Sequence, residues 1–160
     1  MNKHIPARVV LGSPIHFIAF GFGSGLAPTA PGTVGTLVGI PFFFLMASLS
    51  LGSYLVLTLL LFLFGVWVCD QSSKMLGVHD HGGIVWDEIV GYLVTMIAAP
   101  SGWGWVAMGF ILFRIFDIFK PWPISYLDKH VSGGMGIMID DVLAGIYALL
   151  VLQSLHYFWA

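Results

Sequence analysis

Charge is what this sequence lacks most. Only 9% of its 160 residues are Asp, Glu, Lys or Arg. Soluble domains carry roughly 25%, so this chain cannot clothe a water-facing surface. The scarcity is also uneven. No charged residue falls between Arg8 and Asp70, between Glu88 and Arg114, or after Asp141. Each gap can hold helices of the ~20 apolar residues that a hydrocarbon core of ~30 Å demands. Cysteine is almost missing: Cys69 stands alone in an apolar run, which excludes an internal disulfide and reads as packing. A basic surplus is missing too. The net charge of −2 points to no nucleic acid. Ser13, Pro14 and His16 break the apolar stretch that a cleavable signal peptide would need after Lys3 and Arg8. Neither GxxxxGK[ST] nor HExxH occurs.

What is present is a series of apolar runs with polar punctuation. The length suits one domain, 1–160. Residues 1–13 read as a short arm. Residues 14–35 are apolar but crowded with Gly and Pro. Irregular backbone at membrane depth survives only where protein or a wet cavity satisfies it, so this stretch reads as an interfacial or re-entrant segment ending in a loop. Runs 36–51 and 54–70, split by Gly52-Ser53, suggest a helical hairpin. Runs 84–99 and 103–119, split by Pro100-Ser101-Gly102, suggest a second one, ended by Pro121 and Pro123. Residues 71–83 and 124–136 read as polar loops, and 137–158 as a last helix. The expected fold is an all-α membrane bundle of four to five short crossings. Threaded so, every charged residue falls at one end. That end carries all six Lys and Arg, and the positive-inside rule assigns it to the cytoplasm.

The carboxylates Asp87, Glu88, Asp117, Asp140 and Asp141 stand just inside the ends of apolar helices, where charge is costly. First-turn carboxylates also favour a helix dipole, which offers a bland account of both acidic pairs. Asp117 resists it, being near the C-terminal end of its helix. Gly83-Ile84-Val85-Trp86-Asp87-Glu88 parallels Gly136-Ile137-Met138-Ile139-Asp140-Asp141, and Gly91 and Ala144-Gly145 follow soon after. Such a repeat would present carboxylates from two helices to one point. Hard cations such as Mg²⁺ take carboxylate, water and phosphate oxygens, so these residues form a candidate metal site. Arg114, Asp117 and Lys120, at i, i+3 and i+6, share about 120° of helix surface. They suit a phosphate clamp, although snorkelling cations with an ion pair would look alike. His79 and His81 lie in a glycine-flanked loop. The stretch from Gly21 to Thr36 could present backbone N–H groups, with Gly32, Thr33, Gly35 and Thr36 toward an anion, or serve only as helix-packing glycines.

Four blocks resemble the phosphatidylglycerophosphatase A family of bacterial inner-membrane lipid phosphatases. They are GFGSGLAPTAPGTVGTL (21–37), GVHDHGGIVWDEIVGYL (77–93), FRIFDIFKPWPI (113–124) and GGMGIMIDDVLAGIYA (133–148). The resemblance implies a Mg²⁺-dependent hydrolase that removes the terminal phosphate of phosphatidylglycerophosphate, a membrane phospholipid, leaving phosphatidylglycerol. In that reading Asp87, Glu88, Asp140 and Asp141 hold Mg²⁺, and Asp117 is either a further ligand or the base. Arg114 and Lys120 bind phosphate, and His79 or His81 protonates the leaving oxygen. Type 2 phosphatidic acid phosphatases and CDP-alcohol phosphotransferases fit worse, because their PSGH and DGxxAR blocks are absent. An ion transporter would need polar groups at both ends, and the far helix halves offer few. A scaffold subunit would tolerate carboxylate changes.

Overall fold

The computed structural model describes residues 5–159; Lys3, counted above among the cations, lies outside them. Among the described residues the chain is all-helical and has no strand. Eight α-helices follow in order: α1 (Ala7–Leu11), α2 (Pro14–Ala19), α3 (Pro31–Met46), α4 (Leu51–Leu76), α5 (Trp86–Thr95), α6 (Trp103–Phe119), α7 (Ile124–His130) and α8 (Gly133–Trp159).

Two of them, α4 and α8, are long and apolar enough to cross a bilayer, with mean hydropathy 2.2 and 2.0. At 1.5 Å per residue, α3, α5 and α6 fall short of ~30 Å. Length and composition single out these two as candidate crossings and do not by themselves confirm the four to five expected. The two long helices differ in setting. Only 22% of the α4 window is buried, whereas half of the α8 window is. So α4 offers an apolar flank of Leu55, Val56, Leu59 and Leu60 to the surroundings, while α8 runs through the middle. Helix α5 is the innermost: of its residues only Glu88 is not fully buried.

Several boundaries differ from the expected ones, each for a local reason. Helix α3 starts at Pro31 rather than 36, because proline is preorganised for a first turn. The turn into α4 is at 47–50, since Ser50 accepts the Ser53 N–H and caps the helix; Gly52 and Ser53 lie inside it. Helix α4 runs on to Leu76 and stops at left-handed Gly77, so Lys74 is helical. Most of 124–136, expected as a loop, is α7 and the start of α8.

The ends sort as the charge pattern required. The 47–50 and 96–102 turns share one cavity of about 280 Å³, lined by Phe43, Tyr54, Met96 and Pro100 among others. At the opposite end, Asp70 Oδ1 accepts the Gly134 N–H (3.2 Å) and His79 Nε2 the Gly133 N–H (3.0 Å), capping α8 from two directions. The glycine-rich N-terminal segment docks here too. Val85 N–H donates to Ala19 O at 2.9 Å, and Gly25 lies so close to Gly83 O that no Cβ would fit. Interhelical hydrogen bonds tie the bundle across apolar surroundings: Tyr54 Oη to Leu93 O (2.7 Å), Tyr92 Oη to Val106 O (3.2 Å) and Trp86 Nε1 to Leu61 O (3.2 Å).

Candidate active site

The site is made where α5 crosses α8. Both helices start at the charged end. They meet at two glycines: a Cβ on Gly91 would lie 2.8 Å from Asp141 O, and one on Gly145 would collide with Gly91 O. Close backbone approach of this kind requires small residues. Asp87 is one turn before Gly91, and Asp141 one turn before Gly145. The crossing therefore draws these two carboxylates together, with Glu88 beside them. Oxygens of Asp87, Glu88 and Asp141 all lie within 4.8 Å of one another.

The helix-dipole account covers only one of the two acidic pairs. Asp87 and Glu88 are in the first turn of α5. Asp140 and Asp141 are not in a first turn at all, because α8 begins at Gly133, two turns earlier. The six-residue parallel between the two acidic blocks thus does not extend to helix position. What the blocks share is an aspartate four residues before a crossing glycine.

The donor set fits a hard divalent cation. All three groups are carboxylates, and Asp87 Oδ1, Glu88 Oε2 and Asp141 Oδ2 are buried oxygens with no hydrogen-bond partner. Buried like charges demand a compensating cation, and three carboxylates with further places for water and phosphate match Mg²⁺ habits.

Next to the cluster, Arg114 Nη1 donates to Asp117 Oδ2 one turn along α6. Asp117 is close enough to Glu88 and Asp141 for their charges to interact. Arg114 Nε is buried and donates to no protein group. Helix α3 closes this flank. A Cβ on Gly32 would strike Glu88 Oε1 and sit 3.3 Å from both Arg114 Nη atoms. Gly32 therefore lets the first turn of α3 lie directly against the clamp, with Thr33 next to it.

Other expected site residues are placed differently. Asp140 is adjacent to Asp141 but about 100° around the helix, and it faces Lys120. Lys120 Nζ donates to Asp140 Oδ2 at 2.6 Å and to Asp128 Oδ1 at 2.8 Å. Asp140 is thus held in an ion-pair network and does not join the Asp87, Glu88 and Asp141 cluster. Burial works to discharge the Lys120 ammonium, but its bonds to Asp128 and Asp140 outweigh that and raise its pKa above the ordinary lysine value. Lys120 sits at the left-handed C-cap of α6 (φ 43°). Gly35 packs on Val85 in the α3–α5 contact, and the buried Thr36 hydroxyl donates back within α3 to Gly32 O at 2.8 Å. His79 is exposed and caps α8. His81 is buried, accepts the Gly83 N–H at 3.0 Å and stacks on Phe20. With Pro31 and Gly82 it lines a half-open cavity of about 350 Å³. Asp128 escaped sequence reasoning, since its link to Lys120 exists only once α7 folds back.

These features define a helical protein, suited by α4 and α8 to membrane association, with a buried carboxylate cluster beside an Arg114–Asp117 pair. Comparison with known proteins narrows the class. Residues 17–156 match the phosphatidylglycerophosphatase A family, and the chain belongs to it. It is 48% identical to phosphatidylglycerophosphatase A of Escherichia coli, over 96% of this chain and 90% of that one. The Haemophilus influenzae protein of the same name is also 48% identical, over 98% of both. A Bacteroides thetaiotaomicron protein, named provisionally as a phosphatidylinositol-3-phosphatase, is 38% identical over 84% of this chain and 89% of its own length. No solved structure matches.

Proposed function

We propose that this chain is a Mg²⁺-dependent lipid phosphatase that converts phosphatidylglycerophosphate and water to phosphatidylglycerol and inorganic phosphate. The carrying observation is the convergence of Asp87, Glu88 and Asp141, with unpartnered buried oxygens, beside the Arg114–Asp117 pair in a member of this family. Membership brings the substrate; the geometry supports the roles.

Asp87, Glu88 and Asp141 would hold Mg²⁺. When bound, the ion supplies positive charge at the phosphate and acidifies water. Arg114 receives the phosphate oxygens on its planar guanidinium, oriented by Asp117. Asp117 also accepts the proton of the attacking water. The phosphorus–oxygen bond to glycerol then breaks, and His81 rather than His79 gives the leaving oxygen its proton, because His81 borders the cavity beside Pro31. Lys120 tunes the site through Asp140. Catalysis is mostly positioning and charge. The chain would be a multi-pass protein of the bacterial inner membrane, its site facing the cytoplasm, where the cations gather.

The test is phosphate release from phosphatidylglycerophosphate by detergent-purified protein, with Mg²⁺ and then with excess EDTA. Metal-dependent release that Asp141→Asn abolishes in folded protein would support both substrate and site. Release that ignores EDTA would remove the metal from the scheme, and no release in detergent or in lipid would remove the phosphatase.

A further inference from the structure

Helices α3 and α6 run antiparallel on either side of α5, and they touch near their two ends. At the charged end Gly32 meets Arg114. At the other end the rings of Phe44 and Trp103 lie 4.9 Å apart. The span from Gly32 to Phe44 is about 18 Å at 1.5 Å per residue, close to the ~15 Å depth of one leaflet's hydrocarbon.

Between those contacts both helices turn apolar side chains outward. Leu37 (49% exposed) and Ile111 (52% exposed) form the rims. Ile40 is half-buried on one wall, and the small exposed Ala107 lies on the other. Beneath, Gly39 lets Tyr92 rise between the helices, with its ring edge 3.0 Å from where a Cβ would stand. Tyr92 is fully buried and its hydroxyl is spent on Val106 O, so no free polar group lies beneath this surface. Among the described residues, the other large apolar flank, on α4, ends at Lys74. That cation is already neutralised by Asp70 at 2.6 Å. The α3–α6 surface instead ends at Arg114, which is paired with Asp117 but keeps a buried Nε that donates to no protein group, against the carboxylate cluster.

We propose that this surface is a lateral groove that takes one acyl chain of the lipid substrate, with the phosphate at Arg114 and the chain end against Phe44 and Trp103. The inference rests on the lipid-phosphatase reading and adds to it that substrate arrives sideways from the leaflet. An apolar tail below an anionic head is the amphiphile whose two parts match the two parts of the groove.

Ala107→Trp and Ile40→Trp fill the groove from opposite walls. Activity is measured on long-chain phosphatidylglycerophosphate in mixed micelles and on a water-soluble dibutanoyl analogue with the same headgroup. Both variants should raise the long-chain KM about tenfold, the worth of roughly two buried methylenes. Activity on the short analogue should stay within about twofold of wild type. Leu60→Trp on α4 should change neither. Unaltered long-chain kinetics in folded variants would mean that only bulk lipid fills the groove. Equal losses on both substrates would mean a damaged site or a contact between copies, and either result overturns the proposal. A measurement on the wild-type protein guards against misfolded variants. Substrate lipid with a mid-chain photoreactive group should crosslink to 33–44 and 107–111, and crosslinks confined to α4 or α8 would refute the groove. Wild-type protein that releases phosphate from neither substrate would instead sink the phosphatase reading.

Discussion

Gly91→Ala should disable the site while leaving the fold standing. An added Cβ would lie 2.8 Å from Asp141 O and 2.6 Å from Phe113 Cε2. Ordinary carbon–oxygen contacts begin near 3.3 Å, so α5 and α8 must part by about half an ångström. Carbon–carbon contacts prefer about 3.5–4.0 Å, so Phe113 must retreat by nearly 1 Å, although it is fully buried. Overpacking of this size costs about 1–3 kcal/mol. Alanine's better helix propensity offsets up to about 1 kcal/mol of it, which is why the protein should still fold. The displacement falls on Asp87 and Asp141, each one turn from the crossing. Metal ligands must hold position to about 0.2 Å, and a 1 Å error in a catalytic geometry costs about 10²-fold in rate. The assay is kcat together with the Mg²⁺ concentration that gives half-maximal activity. We expect kcat to fall 10- to 100-fold, by about that reasoning, and the Mg²⁺ requirement to rise. Gly104→Ala is the control, because nothing lies within 4 Å of its would-be Cβ. A folded Gly91→Ala protein with normal kcat and normal Mg²⁺ dependence would refute the idea that the glycine crossing builds the site.

Further outcomes follow from the same geometry. Asp87→Asn and Asp141→Asn should each lower kcat by at least about 10²-fold, as misplaced catalytic charge does, and isothermal titration should show weakened Mg²⁺ binding; normal binding in both would remove them as ligands. Arg114→Lys should lose most activity despite its retained charge, because an ammonium cannot form the planar two-point contact; full activity there would argue against the clamp. Lys120→Met strands the buried Asp140 and should cost about 3–5 kcal/mol of stability, whereas Lys120→Met with Asp140→Leu should regain much of it in thermal unfolding. If that stable double variant is also fully active, the network has no part in catalysis. Asp70→Ala removes a cap of α8 and should lower stability by about 1 kcal/mol, with kcat unchanged.

The fold was legible where composition alone decides. Charge-free runs located the apolar helices, and Trp103–Phe119 coincides with its expected run. Boundaries set by single residues were harder to read. Pro31 starts α3 inside a stretch whose glycines suggested a loop, and Ser50 caps α4 two residues before Gly52-Ser53. Helix α7 was invisible because ISYLDKH lacks an apolar period long enough to stand out against its polar neighbours.

The carboxylates of the site were visible as costly charges in apolar runs, yet their partition was not. Asp140 and Asp141 are adjacent and chemically equal, and nothing in the sequence says which faces α5. That depends on the register of α8, which its glycines set: Gly145 must meet Gly91, so Asp141, one turn earlier, must meet Asp87. Asp140 is then carried round toward α7, where it shares the Lys120 ammonium with Asp128. The same reasoning divides the glycines of α3. Gly35 and Gly39 face α5 and answer to Val85 and Tyr92, while Gly32, one turn nearer the charged end, answers to Glu88 and Arg114. Small residues in this chain thus do the work usually assigned to polar ones: they choose which carboxylates meet.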